Sequence, residues 1–224
     1  MTKPYTIVHM MMSVDGRIDC GMTAQLRGNQ EYYSTLDTID AASRITGSGT
    51  AANEMAVGIS SYDGEKIGHE DFAMNRQASS YNIIADSQGR TKWGNDRNNQ
   101  FPHLILVSED VSRDYLDDLD KKHISWIATG KQHVDLKRAM EILSEHFNVK
   151  RLAVVGGGHI NGGFINNNLV DELSVVIGPG IDGRSNQPSL FEGVNNNGKP
   201  ISLQLKDVQK YDDGTVWLRY LVMK

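Results

Sequence analysis

Apolar residues fall in short blocks separated by glycine, and the blocks alternate between strand and helix period. Thr6-Ile-Val-His-Met-Met-Met-Ser-Val14 is an almost unbroken apolar run, which predicts a buried strand, with Asp15-Gly16 as the tight turn behind it. Glu31 to Ser43 sets Tyr32, Leu36, Ile39 and Ala42 at helical spacing. Ile45-Thr-Gly47-Ser-Gly49-Thr50 predicts a short strand end and a glycine turn. From Ala51 to Ser80 the chain is polar and poorly periodic, which fits a surface loop, a mobile lid or a mixture of the two. Tyr81–Ala85, His103–Val107 and Ile124–Ala128 are predicted strands. Ser112 caps a helix that reaches Lys122. Asp135 caps a second helix, to Phe147, with Leu136, Ala139, Met140, Leu143 and Phe147 on one face.

The most informative stretch is Leu152-Ala-Val-Val, which ends abruptly in Gly156-Gly157-Gly158. Amphipathic Ile160, Phe164 and Ile165 follow, then the apolar run Val175-Val-Ile177. The order is strand, glycine turn, helix, strand. Glycines there let backbone approach a ligand closely, and a helix start offers unpaired N–H groups to an anion such as a diphosphate. A plain turn needs glycine equally, so this segment alone leaves both readings open. Its spacing departs from the usual G-x-G-x-x-G fingerprint, and no acidic ribose anchor ends the next strand. A dinucleotide here implies something other than a standard Rossmann domain. Leu203–Gln209 and Val216–Val222 flank Asp212-Asp-Gly214 as a hairpin. The Asn195–Gly198 cluster reads as a loop. Alternating strands and helices followed by an antiparallel ribbon predict an α/β sandwich, with a mixed, mostly parallel sheet and an antiparallel edge. Neither a repeat nor a linker interrupts residues 1–224, so one domain is expected.

Composition narrows the function. A chain of 224 residues with 39% hydrophobic and 23% charged residues can bury a substantial core. Its formal charge of −5 argues against a nucleic-acid surface. The single cysteine, Cys20, excludes an intramolecular disulfide and a multi-cysteine zinc site. No segment approaches the roughly 20 apolar residues of a membrane helix, and the start leads into a strand with no room for a secretory apolar region. A cytoplasmic enzyme or binding protein is expected. Motifs for metal are absent: there is no H-E-x-x-H and no H-x-E with P-C-x-x-C. Gly47-Ser48-Gly49 lacks the outer glycine of a nucleophile elbow. Hydride transfer needs neither metal nor protein nucleophile, because the cofactor carries that chemistry.

Several blocks taken together resemble a known family. Ser13-Val-Asp15-Gly16-Arg17-Ile18, Gly47-Ser-Gly-Thr50, Ile84-Ala-Asp86-Ser87, Gly157-Gly158 through Leu169-Val-Asp171-Glu172-Leu173, and Ile177-Gly-Pro179-Gly-Ile-Asp-Gly183 resemble the RibD C-terminal reductase family of riboflavin biosynthesis. They occur in family order over nearly the whole chain. The resemblance implies a dihydrofolate-reductase-like three-layer sandwich, NADPH as cofactor, a homodimer, and reduction of the ribosylamino group of a pyrimidine to ribitylamino. It also implies roles. Met12 would line the nicotinamide pocket, and Thr50 and Glu54 would contact cofactor after the second strand. Ser87 would sit near the adenosine 2′-phosphate, with Arg90 adding charge nearby. Gly157, Gly158, His159, Ile160, Asn161, Gly162 and Gly163 would hold the diphosphate.

Departures fall on the substrate side. Gly156 stands where many relatives have an acid, His9 where lysine is frequent, and no arginine is evident around Asp37. His9 is either a core histidine or a polar group facing substrate. Asp15 is either a turn-stabilising carboxylate or a proton donor. These two are the catalytic candidates. The departures also keep two other readings open, a reductase of another substrate such as a pterin, imine or carbonyl, and a non-catalytic nucleotide-binding homologue.

Overall fold

The computed structural model describes residues 2–195 and 199–223. Of the Asn195–Gly198 cluster, residues 196–198 lie outside the described residues. In chain order the elements are β1 (Tyr5–Ser13), α1 (Cys20–Thr23), α2 (Asn29–Thr38), β2 (Ser43–Gly47), α3 (Ser48–Glu54), β3 (Gly58–Ile59), β4 (Asp71–Ala73), β5 (Asn82–Ala85) and β6 (Thr91–Lys92). They continue as β7 (His103–Val107), α4 (Arg113–Lys121), β8 (Ser125–Ala128), α5 (Leu136–Glu145), β9 (Arg151–Gly156), α6 (Gly158–Asn166), β10 (Glu172–Gly178), β11 (Leu203–Lys210) and β12 (Val216–Val222). Two compact units make up the chain, residues 1–4 with 42–150, and residues 5–41 with 151–224.

In the first unit the strands run β2-β5-β7-β8-β4. The first four are parallel, and β4 is antiparallel to β8. Strands buried on both faces need apolar residues at every position, which is how Leu104-Ile-Leu-Val107 reads. One face packs Ile84, Ile105, Val107 and Trp126 against Tyr115, Leu116 and Leu119 of α4. Helix α5 brings Ala139, Met140 and Leu143, all buried, against β8. Both helices start where the caps predict: Ser112 accepts from the Asp114 N–H at 3.2 Å, and Asp135 from the Arg138 N–H at 3.1 Å. Each such cap stabilises its helix by about 1 kcal/mol.

The second unit runs β11-β12-β10-β1-β9, with β1 parallel to both β9 and β10 and the C-terminal hairpin antiparallel. Alternation along β1 divides its side chains. Ile7 and Met11 face α2, in a cluster with Leu36, Ile39, Ala153, Val176 and Trp217. Helix α6 packs on β9 and buries Phe164. The expected mixed α/β architecture with a C-terminal antiparallel hairpin is therefore present. In that hairpin the register shifts between Leu205 and Asp207, so Lys206 is one extra residue opposite β12.

Two elements differ from expectation. The helix predicted to Ser43 stops at Thr38, and Ser43 opens β2. Asp40 takes φ +51°, a left-handed conformation that ends a helix, and β-branched Ile45 and Thr46 favour the strand. The supposedly shapeless Ala51–Ser80 stretch holds the end of α3 and two short strands, β3 and β4. A three-residue strand leaves no periodicity to read. β4 depends instead on tertiary partners, with Phe72 beside the ring of Phe147 at 6.1 Å and the downstream Asn75 amide bonding Asp120 at 2.6 Å.

Candidate active site

In the second unit, β9 ends at Gly156 and the chain turns into α6 through Gly157. Gly157 has φ +85°, which L side chains rarely adopt, and a Cβ there would meet only Ile160, at 3.7 Å. Its glycine is required by backbone shape, since the one neighbour a Cβ would meet lies at ordinary contact distance. Gly158 and Gly162 are glycines for another reason. A Cβ on Gly158 would lie 2.4 Å from the Ser189 carbonyl oxygen, and one on Gly162 would lie 1.8 Å from that of Glu192. The segment 189–192 crosses this face of α6 in backbone contact. The Glu192 N–H donates to the Gly158 carbonyl at 3.0 Å, and the Asn161 amide donates to the Leu190 carbonyl at 2.8 Å. Both glycines are buried, while His159 is exposed, with Nε2 3.2 Å from a Glu192 carboxylate oxygen. Among the described residues the buried Asn161 Oδ1 has no hydrogen-bond partner. Ile160 and Gly163 are half-buried.

Met12 sits near the end of β1, half-buried and beside Ile177. Asp15, in the turn after β1, is exposed and accepts three hydrogen bonds, from Ser13 Oγ at 2.6 Å, the Gly183 N–H at 2.9 Å and the Asp182 N–H at 3.0 Å. The Ser13 hydroxyl and then the two backbone amides hold its carboxyl well below the usual range. A group so strongly kept as carboxylate is a poor proton donor.

His9 is fully buried on the α2 side. Its Nε2 lies 3.0 Å from the Tyr32 carbonyl, its Nδ1 lies 2.9 Å from Ser174 Oγ, and Ser174 Oγ accepts from Trp217 Nε1 at 2.8 Å. A carbonyl only accepts, so Nε2 carries the proton. Nδ1 of the neutral ring then accepts from the Ser174 hydroxyl, whose oxygen takes the indole N–H. This assignment gives every member a partner, with both ring nitrogens engaged inside the unit.

In the first unit, α3 begins directly after Gly47. Gly49 is exposed, lies outside the left-handed region, and would have nothing within 4 Å of a Cβ. Neither backbone shape nor packing accounts for it. Thr50 is half-buried and Glu54 exposed at the helix end, while Thr46 Oγ1, just before, is buried without a partner among the described residues. After β5 the buried Asp86 organises the next turn. Its Oδ2 accepts from the Arg90 N–H, the Thr91 N–H and the Thr91 hydroxyl at 2.7–2.8 Å. That holds Ser87, whose Oγ accepts from the Val134 N–H at 3.2 Å and keeps its own hydrogen to donate.

The sequence profile of the RibD C-terminal domain matches residues 4–217. The chain belongs to the RibD C-terminal domain family. A 2,5-diamino-6-ribosylamino-4(3H)-pyrimidinone 5′-phosphate reductase from Archaeoglobus fulgidus is 26% identical over 196 residues, 85% of this chain and 87% of that one. The protein of that name from Methanothermobacter thermautotrophicus is 26% identical over 209 residues, 91% of this chain and 92% of that one. A pyrimidine reductase-like protein from Corynebacterium diphtheriae has a solved structure that matches with a TM-score of 0.73 at 16% identity, covering 100% of this chain and 93% of that one. At that identity the likeness is one of fold.

Family blocks far apart in sequence meet within the second unit. The Val14 N–H donates to the Gly180 carbonyl at 2.8 Å, so the turn after β1 and the Ile177–Gly183 block lie together through both Val14 and Asp15. Arg17 bridges Ser189 and donates from Nη1 to the Gln187 carbonyl at 2.8 Å, which ties the same turn to the segment lying on α6. Met12, Asp15 and the 157–163 glycines thus belong to one unit, and Thr50, Glu54 and Ser87 to the other. Sequence reasoning missed the 187–192 segment, which carries no periodic signal, and the Asp86 turn, whose partners Thr91 and Arg90 are ordinary residues. Among the described residues no cluster of three or more histidine, cysteine or acidic side chains is arranged to hold a metal, and no helix is long and apolar enough to cross a membrane.

Proposed function

We propose that this chain is an NADPH-dependent reductase of the riboflavin-pathway type. Its substrate would be a pyrimidine bearing a phosphoribosylamino group, either 5-amino-6-(5-phosphoribosylamino)uracil or its 2,5-diamino analogue, and its setting the cytoplasm, as a homodimer. Family membership and the reductase activity for which the Archaeoglobus fulgidus and Methanothermobacter thermautotrophicus relatives are named support this reading. The single observation that carries it is the turn at Gly157, where a positive-φ backbone with no neighbour closer than 3.7 Å to a Cβ starts helix α6.

The residues fit such a cofactor in parts. Gly157 and the first turn of α6 would hold the diphosphate, whereas Gly158 and Gly162 are already occupied by the chain's own backbone. Gly49, unexplained by the fold, and Thr50 would lie against the nucleotide. Ser87 has a hydroxyl hydrogen to give a 2′-phosphate, and Met12 would border the nicotinamide. When bound, reduced nicotinamide supplies a hydride. The protein's share is orientation, which can remove about 7–11 kcal/mol of a barrier when reacting atoms are held in line. Asp15 serves the turn and His9 the core, so the proton that completes the reduction comes from water.

The test is NADPH oxidation followed by absorbance with both pyrimidine phosphates, and with pterins, imines and simple carbonyls as controls. Turnover on a pyrimidine phosphate is expected. NADPH binding without turnover on any compound would establish a non-catalytic homologue, and turnover confined to a control would reassign the substrate.

A further inference from the structure

Arg17 carries a guanidinium with one hydrogen bond and no counter-ion. Its Nη1 donates to the Gln187 carbonyl at 2.8 Å. Among the described residues its Nε is buried without a partner, and neither Nη2 nor any carboxylate pairing with it completes the set. The side chain is half-buried and always charged, and a buried N–H left unmet costs folding energy. Arg184 and Arg219 of the same unit each meet a carboxylate instead.

The acids around Arg17 are all engaged elsewhere. Asp15, two residues before it, accepts from Ser13 Oγ and from the Asp182 and Gly183 N–H groups. Asp19, two residues after it, takes the Gly21 N–H at 3.0 Å and Arg184 at 2.6 Å. Glu192 takes the N–H of Ser189, the residue bridged to Arg17, at 2.9 Å and faces His159. The arginine itself is held firmly. Its carbonyl accepts from the Ser13 N–H at 2.9 Å, its N–H donates to Ser13 Oγ at 3.1 Å, and Gln187 fixes the far end. Its bridge partner Ser189 lies against Gly158, the first residue of α6. With Nη1 spent, the edge left over is Nε–Nη2, the pair of parallel N–H groups that matches two oxygens of one phosphate.

We infer that Arg17 binds a phosphate group of a ligand through its Nε–Nη2 edge. The inference rests on the proposed function, whose ligands bring two such groups, the diphosphate of NADPH and the 5′-phosphate of the pyrimidine. A phosphate supplies both acceptors and the missing negative charge, whereas a neutral carbonyl supplies neither the second acceptor nor the charge. A guanidinium already fixed by Gln187 and the Ser13 backbone gives up little freedom when the ligand arrives. The turn after β1 thus offers the arginine that the region of Asp37 does not.

Arg17→Met keeps the stem and removes the charge. Dissociation constants for NADPH, for the pyrimidine phosphate and for its dephosphorylated form are measured on variant and wild type. A loss of about 30–100-fold is expected for at least one phosphate-bearing ligand. Loss for the pyrimidine phosphate, with none for its dephosphorylated form, assigns the substrate's phosphate. Loss for NADPH, with none for adenosine 2′-phosphate, which lacks the diphosphate, assigns the cofactor's. A folded variant within about threefold of wild type for both ligands overturns the inference and leaves the proposed function standing. Equal losses with and without the phosphate do the same, because they mark a structural role. A wild type that binds neither NADPH nor the pyrimidine phosphate overturns the proposed function and this assignment with it. If Arg17→Met does not fold, Arg17→Lys decides: it keeps the charge but not the paired N–H groups, so the same ligand should weaken about tenfold, and wild-type affinity overturns the inference.

Discussion

His9 and Tyr32 are joined twice: the imidazole Nε2 bonds the Tyr32 carbonyl at 3.0 Å, and the two rings stack with centroids 4.8 Å apart and planes 19° from parallel. The contact pins helix α2 to β1 through a neutral ring. On its other side the ring reaches Ser174, so removing it opens a buried cavity and leaves the Ser174 hydroxyl hydrogen to find a new acceptor, while the Trp217 indole keeps Ser174 Oγ and the Tyr32 carbonyl keeps the Thr35 hydroxyl. His9→Ala should therefore lower stability by about 3 kcal/mol while leaving the NADPH dissociation constant within about threefold. Urea unfolding and nucleotide titration check this. A variant of wild-type stability that had lost turnover would instead place His9 at the substrate.

The glycines predict opposite outcomes for one substitution. Helix propensity alone makes Gly→Ala in α6 favourable by about 1 kcal/mol. At Gly162 the new methyl would strike the Glu192 carbonyl, so the expected result is a net loss of about 2 kcal/mol or more. At Gly49 the methyl meets nothing, and melting temperature should hold. NADPH affinity of Gly49→Ala should nonetheless fall about tenfold if the first turn of α3 lies against the nucleotide. Unchanged affinity would remove Gly49 from the site.

Ser87→Ala bears on cofactor choice. The Val134 N–H loses its acceptor, a cost of about 1 kcal/mol in stability. NADPH binding should weaken about 5–10-fold while NADH binding stays level, because only the former offers a 2′-phosphate. Equal losses for both nucleotides would show that Ser87 does not read that group.

Glu172 predicts an acid limb. Its side chain is fully buried between Lys206 at 2.7 Å and Arg219 at 2.5 Å, with the Tyr5 hydroxyl donating at 3.1 Å. Burial pushes the carboxyl up, but the hydrogen bonds from Lys206 and Arg219 outweigh it, and the net position is below the ordinary range. A carboxyl depressed in the folded state contributes stability above its unfolded value and loses it as pH falls through the folded one. Glu172→Gln should cost about 2–3 kcal/mol at pH 7, discounted from a fully buried pair because both cations are partly exposed. Once the pH has fallen below the folded value, variant and wild type should converge. A gap that persists in acid would mean that amide geometry, not charge, causes the loss.

Much of the architecture was legible because apolar runs such as Leu104–Val107 and capped helices such as Asp135–Glu145 carry their own signal. The end of α2 was not, since the apolar period runs on through Ala42 and only the left-handed turn at Asp40 stops it. Strand β4 was invisible because three residues held by distant partners have no local pattern. At the site, sequence marked the glycines but could not separate their causes. Gly157 answers to backbone shape, Gly158 and Gly162 to a segment some 30 residues away, and Gly49 to nothing among the described residues.

Residues 189–195 have no helix or strand beyond a single bridge, yet α6 grips them repeatedly. Besides Glu192 and Leu190, the Asn166 amide donates to the Gly193 carbonyl and its oxygen accepts from the Asn195 N–H, at 2.8 and 2.9 Å. A stretch tied in this way cannot lift off alone without stripping polar groups from a helix, and the helix cannot unwind beneath it without letting it go. The two therefore form one opening unit in the sense of hydrogen exchange, and the amide of Glu192, irregular by shape, should exchange on the timescale of α6 rather than that of a surface loop.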